Sequence, residues 1–186
     1  MQILADASFH YVDCASNSQE WRCYAELLEP RDAEPEDAAA IVRIYNEGIL
    51  DRMATFETRL RNAADVRKWF DGRHPIVVVE DAGEVVAFAA TSDYRPRECY
   101  AGVAEFSVYV GRGARQRGAG RLALDALIRA SAEAGFWKLV SRIFVENQAS
   151  IGLCRKLGFR VVGIYQKHGQ LDGVWRDVAI VERLLP

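Results

Sequence analysis

The sequence predicts an α/β domain built on a mixed sheet. Three observations carry that expectation: segments of strand and helix character alternate along the chain, no internal repeat interrupts them, and a turn-linked pair of β-branched runs precedes a strand, helix, strand succession. With 186 residues, 50% apolar and 27% charged, the composition is that of one globular domain. A chain of this size buries roughly 70% of the surface its unfolded form exposes, so its core needs neither disulfide nor metal.

The elements follow in order. Residues 1–24 show no clear period and are read as an extension, with a single domain over residues 25–186. Pro35 opens a first helix whose Ala38, Ile41, Val42, Tyr45 and Ile49 share one face, ending near Leu50. After a loop containing Ala54-Thr55-Phe56-Glu57, Asn62 and Asp65 stand as N-cap and N3 of a short helix that presents Val66, Trp69 and Phe70 and closes at Gly72. Residues 76–80 and 85–90 form a hairpin about Asp81-Ala82-Gly83-Glu84. A third strand, 103–110, follows the polar loop Tyr94-Arg95-Pro96-Arg97-Glu98. Leu122, Leu124, Ala126, Leu127 and Ala130 mark an amphipathic helix over 118–134 that stops at Gly135. A strand over 137–145, a helix over 148–157 ended by Gly158, and strands over 159–165 and 174–184 joined by a turn at 169–173 complete the chain.

Composition also excludes function classes. Lys+Arg number 24 against 26 Asp+Glu, a formal charge of −2, which argues against a protein that binds nucleic acid by coating its phosphates. Cys14, Cys23, Cys99 and Cys154 form no CxxC pair and only His10, His74 and His168 accompany them, so no zinc or other metal site is expected. No apolar window approaches the roughly 18 residues of a membrane span, and the N-terminus lacks the pattern of a secretory signal; a cytoplasmic address and no membrane partner are expected.

The chain changes character at Gly111. Strand 103–110 runs directly into Gly111-Arg112-Gly113-Ala114-Arg115-Gln116-Arg117-Gly118-Ala119-Gly120-Arg121, a basic glycine-rich turn that opens a helix. Unpaired N–H groups and the positive end of the helix dipole converge there, and glycine lets a phosphate approach the backbone; a solvated loop would show the same composition. A P-loop needs Lys and then Ser or Thr after its last glycine, where this chain has Arg121 and Leu122. A dinucleotide fingerprint needs a third glycine where Gln116 stands.

Residues 115–120, Arg-Gln-Arg-Gly-Ala-Gly, resemble the (Gln/Arg)-x-x-Gly-x-(Gly/Ala) signature of the GNAT N-acetyltransferases, and the stretch from Asn147-Gln148-Ala149-Ser150 to Leu157-Gly158-Phe159 resembles that family's second cofactor motif. Within the family the chain is most similar to the phosphinothricin acetyltransferase group, through Ile44-Tyr45-Asn46, Ala54-Thr55-Phe56-Glu57, Glu105-Phe106-Ser107-Val108-Tyr109-Val110, Lys167-His168-Gly169 and Trp175-Arg176-Asp177-Val178. The resemblance spans about residues 28–186 and implies an α/β (α+β) fold with a mostly antiparallel central sheet and flanking helices. It implies acetyl-CoA as co-substrate, direct transfer to the α-amine of a small amino-acid-like acceptor of phosphinothricin, methionine sulfoximine or arsinothricin type, and a homodimer. The alternatives are a protein or peptide amine as acceptor, and a non-catalytic acetyl-CoA sensor.

Site residues follow from the chemistry and the resemblance together. Acetylation needs an uncharged amine, a polarised thioester carbonyl and a proton for the departing thiolate. Glu105, between Ala104 and Phe106 on the strand entering the cofactor loop, is placed to take the amine's proton, and the resemblance makes it the base. The resemblance gives the backbone of Val108, Tyr109 and Val110 to the pantetheine arm, Gln116, Arg117, Gly118, Ala119, Gly120 and Arg121 to the pyrophosphate, and Asn147 to the cofactor arm. Cys154 stands where many relatives carry a tyrosine acid, and is either a proton donor or a small buried residue. Arg95 and Arg97, with Tyr100, are candidates to fork onto the acceptor's carboxylate or phosphinate, or form a solvated loop. Phe56 is a candidate pocket wall, His168 and Trp175 candidate pocket or subunit contacts, and His74 a structural residue.

Overall fold

A computed structural model describes residues 28–186, so the expected N-terminal extension lies outside it, as do Cys14, Cys23 and His10. Strands β1 (Glu29–Asp32), β2 (Ile76–Asp81), β3 (Glu84–Asp93), β4 (Val103–Val110), β5 (Lys138–Phe144), β6 (Arg160–Leu171) and β7 (Val174–Leu184) form one sheet in the order β1-β2-β3-β4-β5-β7-β6. Every neighbouring pair is antiparallel except β4 with β5. Helices α1 (Ala38–Leu50) and α2 (Ala63–Arg67) cover one face, and α3 (Ala119–Glu133) and α4 (Gln148–Lys156) the other.

Strand alternation divides the core accordingly. Val77, Val79, Ala87, Ala89, Ala104 and Phe106 pack under Ala123, Leu124 and Leu127 of α3 and Ile151 of α4, while Ile76, Val78, Phe88 and Tyr109 meet Ile41 and Ile44 of α1 and Val66 of α2. A smaller cluster of Phe144, Leu171 and Val178, with Phe56 against it, lies toward the β6–β7 end. The α3 crossover joins the one parallel pair, as two strands running the same way require.

Local chemistry explains the element ends. Pro35 opens a short 3₁₀ turn before α1. Asn62 accepts from the Asp65 N–H at 3.0 Å while Asp65 accepts from the Asn62 N–H at 3.2 Å, the expected capping box. α2 stops at Arg67, however, so Trp69 and Phe70 follow the helix and pack on the α1 face from a turn. Ala82 and Gly83 both have positive φ, the two-residue turn that matches strand twist.

Three expectations change. β1 was not expected from the sequence: Glu-Pro-Arg-Asp lacks any strand pattern, and only pairing with β2 makes it one. β3 runs to Asp93 instead of Ala90 because β4 is long enough to pair with it throughout. Residues 169–171 belong to β6, and the turn shrinks to Asp172-Gly173, again both at positive φ. Gly169 is there for space: a Cβ on it would lie 2.8 Å from the Phe56 ring.

Gly48 of α1 plays a similar part, since a Cβ there would come within 2.7 Å of the Tyr109 ring. Gly48→Ala gains about 1 kcal/mol of helix propensity but forces an overlap that costs roughly 1–3 kcal/mol. Urea unfolding is expected to show net destabilisation.

Candidate active site

β4 and β5 are paired only from Val103↔Lys138 to Glu105↔Val140, yet β4 continues to Val110 and β5 to Phe144. The other edge of β4 stays paired with β3 up to Ala87↔Val110, and the other edge of β5 with β7 to Phe144↔Val178. Past Glu105, therefore, facing edges of two strands stand apart. A cleft of about 640 Å³ opens at this parting, with Glu105, Val108, Arg142, Asn147, Cys154 and Phe56 on its walls.

The glycine-rich turn sits at the end of β4. The Gly111 N–H donates to Val86 O at 2.8 Å, residues 112–114 make a 3₁₀ turn, and Gln116 and Gly118 both take positive φ before α3 begins at Ala119. Arg121 and Leu122 donate back to Gly118 O, so the N–H groups of Ala119 and Gly120 open the helix without an intrahelical acceptor. A Cβ on Gly120 would lie 3.1 Å from Val110 Cγ2 and 3.6 Å from Leu153 Cδ2; glycine lets the helix start abut β4 and α4. Arg112 and Arg115 are held by one acid: Arg112 Nε reaches Asp51 Oδ1 at 3.0 Å and Arg115 Nη2 reaches Asp51 Oδ2 at 2.6 Å. Arg117 pairs with Asp81 at 2.9 Å, and Arg121 is exposed. Arg112, Arg115 and Arg117 brace the turn, and it presents backbone N–H groups at the start of α3.

On the cleft wall, Glu105 accepts both arms of a guanidinium: Arg142 Nε donates to Oε1 at 2.9 Å and Nη2 to Oε2. Arg142 was not expected as a site residue. It carries the single charge between Leu139 and Val145, and that interruption of an apolar strand was the available signal.

Residues 39–159 match the acetyltransferase (GNAT) family. The chain belongs to the GNAT acetyltransferase family. It is 38% identical over 157 residues to an L-methionine sulfoximine/L-methionine sulfone acetyltransferase of Pseudomonas paraeruginosa, covering 82% of this chain and 91% of that one. It is 33% identical over 165 residues to a phosphinothricin N-acetyltransferase of Streptomyces coelicolor, covering 85% and 96%. Among solved structures, a GNAT superfamily phosphinothricin acetyltransferase from Sinorhizobium meliloti in complex with acetyl-CoA superposes with a TM-score of 0.79 at 32% identity, covering 85% of this chain and 88% of that one.

This GNAT chain brings some expected site residues together and not others. Cys154 is 2% exposed on α4, and burial pushes its thiol up to about 12. A thiol that reluctant to ionise gives its proton to a coenzyme thiolate only uphill, since an ordinary thiol ionises near 8.5; of the two expected roles the structure favours the small buried residue. Asn147 lines the cleft, but its side chain is engaged: Oδ1 accepts from the Ser150 N–H to cap α4, and Nδ2 donates to Met53 O at 3.1 Å. Val108 faces the cleft. The Tyr109 ring is buried against Phe88 at 5.2 Å and Tyr45 at 4.9 Å, and that burial raises its hydroxyl pKa.

Phe56 both lines the cleft and packs edge-on to Phe144 at 4.7 Å, joining pocket and core. His168 reaches the cleft wall, whereas Trp175 is exposed on β7. Arg95, Arg97 and Tyr100 do not line the cleft: Arg95 lies over the Tyr94 ring, which meets Tyr100 edge-on. The β3–β4 loop folds on its own aromatics. His74 is buried between Asp71, at 2.6 Å, and Asp93, and stacks on Phe136, a structural placement as expected.

The guanidinium groups of Arg112 and Arg115 hold the Asp51 carboxyl below its ordinary value of 3.8. Its contribution to stability is therefore complete above about pH 4 and is lost as pH falls through the lowered folded value. Asp51→Asn is expected to unfold at lower urea than the parent at neutral pH, with the two midpoints converging in acid.

Proposed function

We propose that the protein transfers the acetyl group of acetyl-CoA directly to the α-amine of a small amino-acid-like acceptor, of methionine sulfoximine, phosphinothricin or arsinothricin type, with Glu105 as general base. The observation that carries this proposal is the edge of β4 that β5 leaves unpaired past Glu105: it borders the cleft through Val108 and Tyr109, and the strand then ends in the glycine-rich turn that opens α3. The relatives named above act on such amino acids, and the solved relative holds acetyl-CoA.

Each part of the cleft then has work to do. The N–H groups of residues 116–120 receive the pyrophosphate at the positive end of α3, with the side chains of Arg117 and Arg121 adding charge at its rim. The backbone of Val108, Tyr109 and Val110, along the edge that β5 leaves and where the Val110 carbonyl accepts from Arg115 Nε at 3.2 Å, pairs with the amides of the pantetheine arm as a strand would, and an N–H on that edge polarises the thioester carbonyl. Asn147 keeps the far wall in place by capping α4 and holding the Met53 loop. The acceptor's ammonium gives one proton to Glu105, directly or through water, and the free amine attacks the carbonyl carbon. As the C–S bond breaks, the second proton shed by the nitrogen goes to the thiolate. Nitrogen's own proton makes a separate acid unnecessary, in keeping with the inert Cys154.

A homodimer belongs to the same proposal, supported by apolar side chains left exposed on β6 and β7: Val162, Ile164, Tyr165, Val174 and Trp175. So does a cytoplasmic address, supported by the free Cys99 and Cys154, which suit a reducing compartment.

Thiol release from acetyl-CoA, followed with free amino acids, peptides and simple amines, tests the activity. Release with free amino acids supports it, release with peptides alone moves the acceptor to a protein, and no release with any amine leaves a cofactor-binding module. Glu105→Gln is expected to lower kcat/KM at neutral pH at least about a hundredfold, roughly 2.7 kcal/mol. Cys154→Ala is expected to stay within about threefold of the parent, against the 10²-fold or more that loss of a general acid costs.

A further inference from the structure

The guanidinium that grips Glu105 is only half used. Arg142 engages the carboxylate through Nε and Nη2, its side edge, and the group is nearly half exposed. A guanidinium carries five N–H donors in a planar fork, so the end edge formed by Nη1 and Nη2 remains. Nη1 makes no hydrogen bond or ion pair with another described residue. Among the described residues, this is the one ion pair with both members on the cleft wall. The other arginine there, Arg59, is turned to Asp65, and the other acid, Glu57, to Arg61.

An α-amino acid presents the reverse pattern. Its carboxylate and ammonium sit on one carbon, negative beside positive, while the wall offers positive beside negative. We propose that the Arg142–Glu105 pair is the receptor for this zwitterionic head: the acceptor's carboxylate takes the Nη1/Nη2 edge of Arg142 as a second bidentate partner, which sets its ammonium against Glu105. The four charges sum to zero, so the head enters the cleft without leaving an unpaired charge. Arg142 is thus a residue that determines specificity, and it occupies the role the sequence assigned to Arg95 and Arg97. This inference rests on the acetyltransferase activity proposed above, and it narrows the acceptor to compounds whose α-carboxylate is free. A peptide N-terminus or an amino-acid amide lacks the group that Arg142 reads.

The test compares L-methionine sulfone with its carboxamide as acceptors, by thiol release, in the parent, Arg142→Gln and Arg142→Lys. A charge-assisted pair is worth about ten- to a hundredfold, so the parent is expected to favour the free acid by at least about tenfold. Arg142→Gln is expected to lose most of that preference, mainly through a raised KM for the acid. The carboxamide falls less, through the loss of Glu105's partner alone. Arg142→Lys keeps the charge without the fork and should keep part of the preference. Thermal melting and acetyl-CoA binding identify a variant that has failed to fold, in which case the parent and Arg142→Lys decide. A parent indifferent to the carboxylate overturns the inference while leaving the activity intact, as does an Arg142→Gln that loses acid and amide equally. Absence of thiol release with every amine tried overturns the activity, and this inference with it.

Discussion

β4 and β5 share three register pairs and then separate, although both strands go on and each remains bonded on its outer side. A backbone edge left inside a protein needs hydrogen-bond partners. Here the edge belongs to β4 residues 106–110 and faces a cleft, where water or a ligand can supply them; Arg115 Nε already donates to the Val110 carbonyl at 3.2 Å. The same strand carries Glu105 on the cleft wall and ends in the glycine-rich turn that opens α3. Asn147, which caps α4 and donates to Met53 O, ties the far wall of the cleft to the loop after α1.

Charge is handled by pairing inside the fold. A chain with a formal charge of −2 has a run of basic residues between Arg112 and Arg121, but Asp51 takes two of them and Asp81 a third. The turn is stiffened by these contacts, and what it leaves without an intrahelical acceptor is main-chain N–H at the start of α3, whose geometry does not depend on flexible side chains. On the cleft wall itself, Arg142 and Glu105 form another pair. A zwitterion would extend such a pair at little electrostatic cost, whereas a lone cation or anion would add a net charge beside it.

Much of the fold was legible because its signals are local. The capping box at Asn62, the positive-φ turn at Ala82-Gly83, the amphipathic period of α3 and the glycine-rich turn are properties of a few consecutive residues. β1 was not legible, because Glu-Pro-Arg-Asp becomes a strand only by lying against β2, with Arg31 tied to Glu80 and Asp37. Gly169 misled for a related reason: a glycine reads as a turn, and only the Phe56 ring across the chain shows that it serves close packing within β6.

The amino-acid order alone determined the family, and it singled out the glycine-rich turn and Glu105 as candidates, since each sits in a contiguous run whose chemistry is visible without a fold. Tertiary structure decided which side chains share the cleft. It seats Arg142, from a strand 37 residues further along, on Glu105; it lays Arg95 over the Tyr94 ring of its own loop, leaves Arg97 off the cleft wall, and buries Cys154, which raises its thiol pKa. Those outcomes depend on how far β4 and β5 stay together and on which face each side chain takes. Both are set by packing between segments distant in sequence, which no local pattern records.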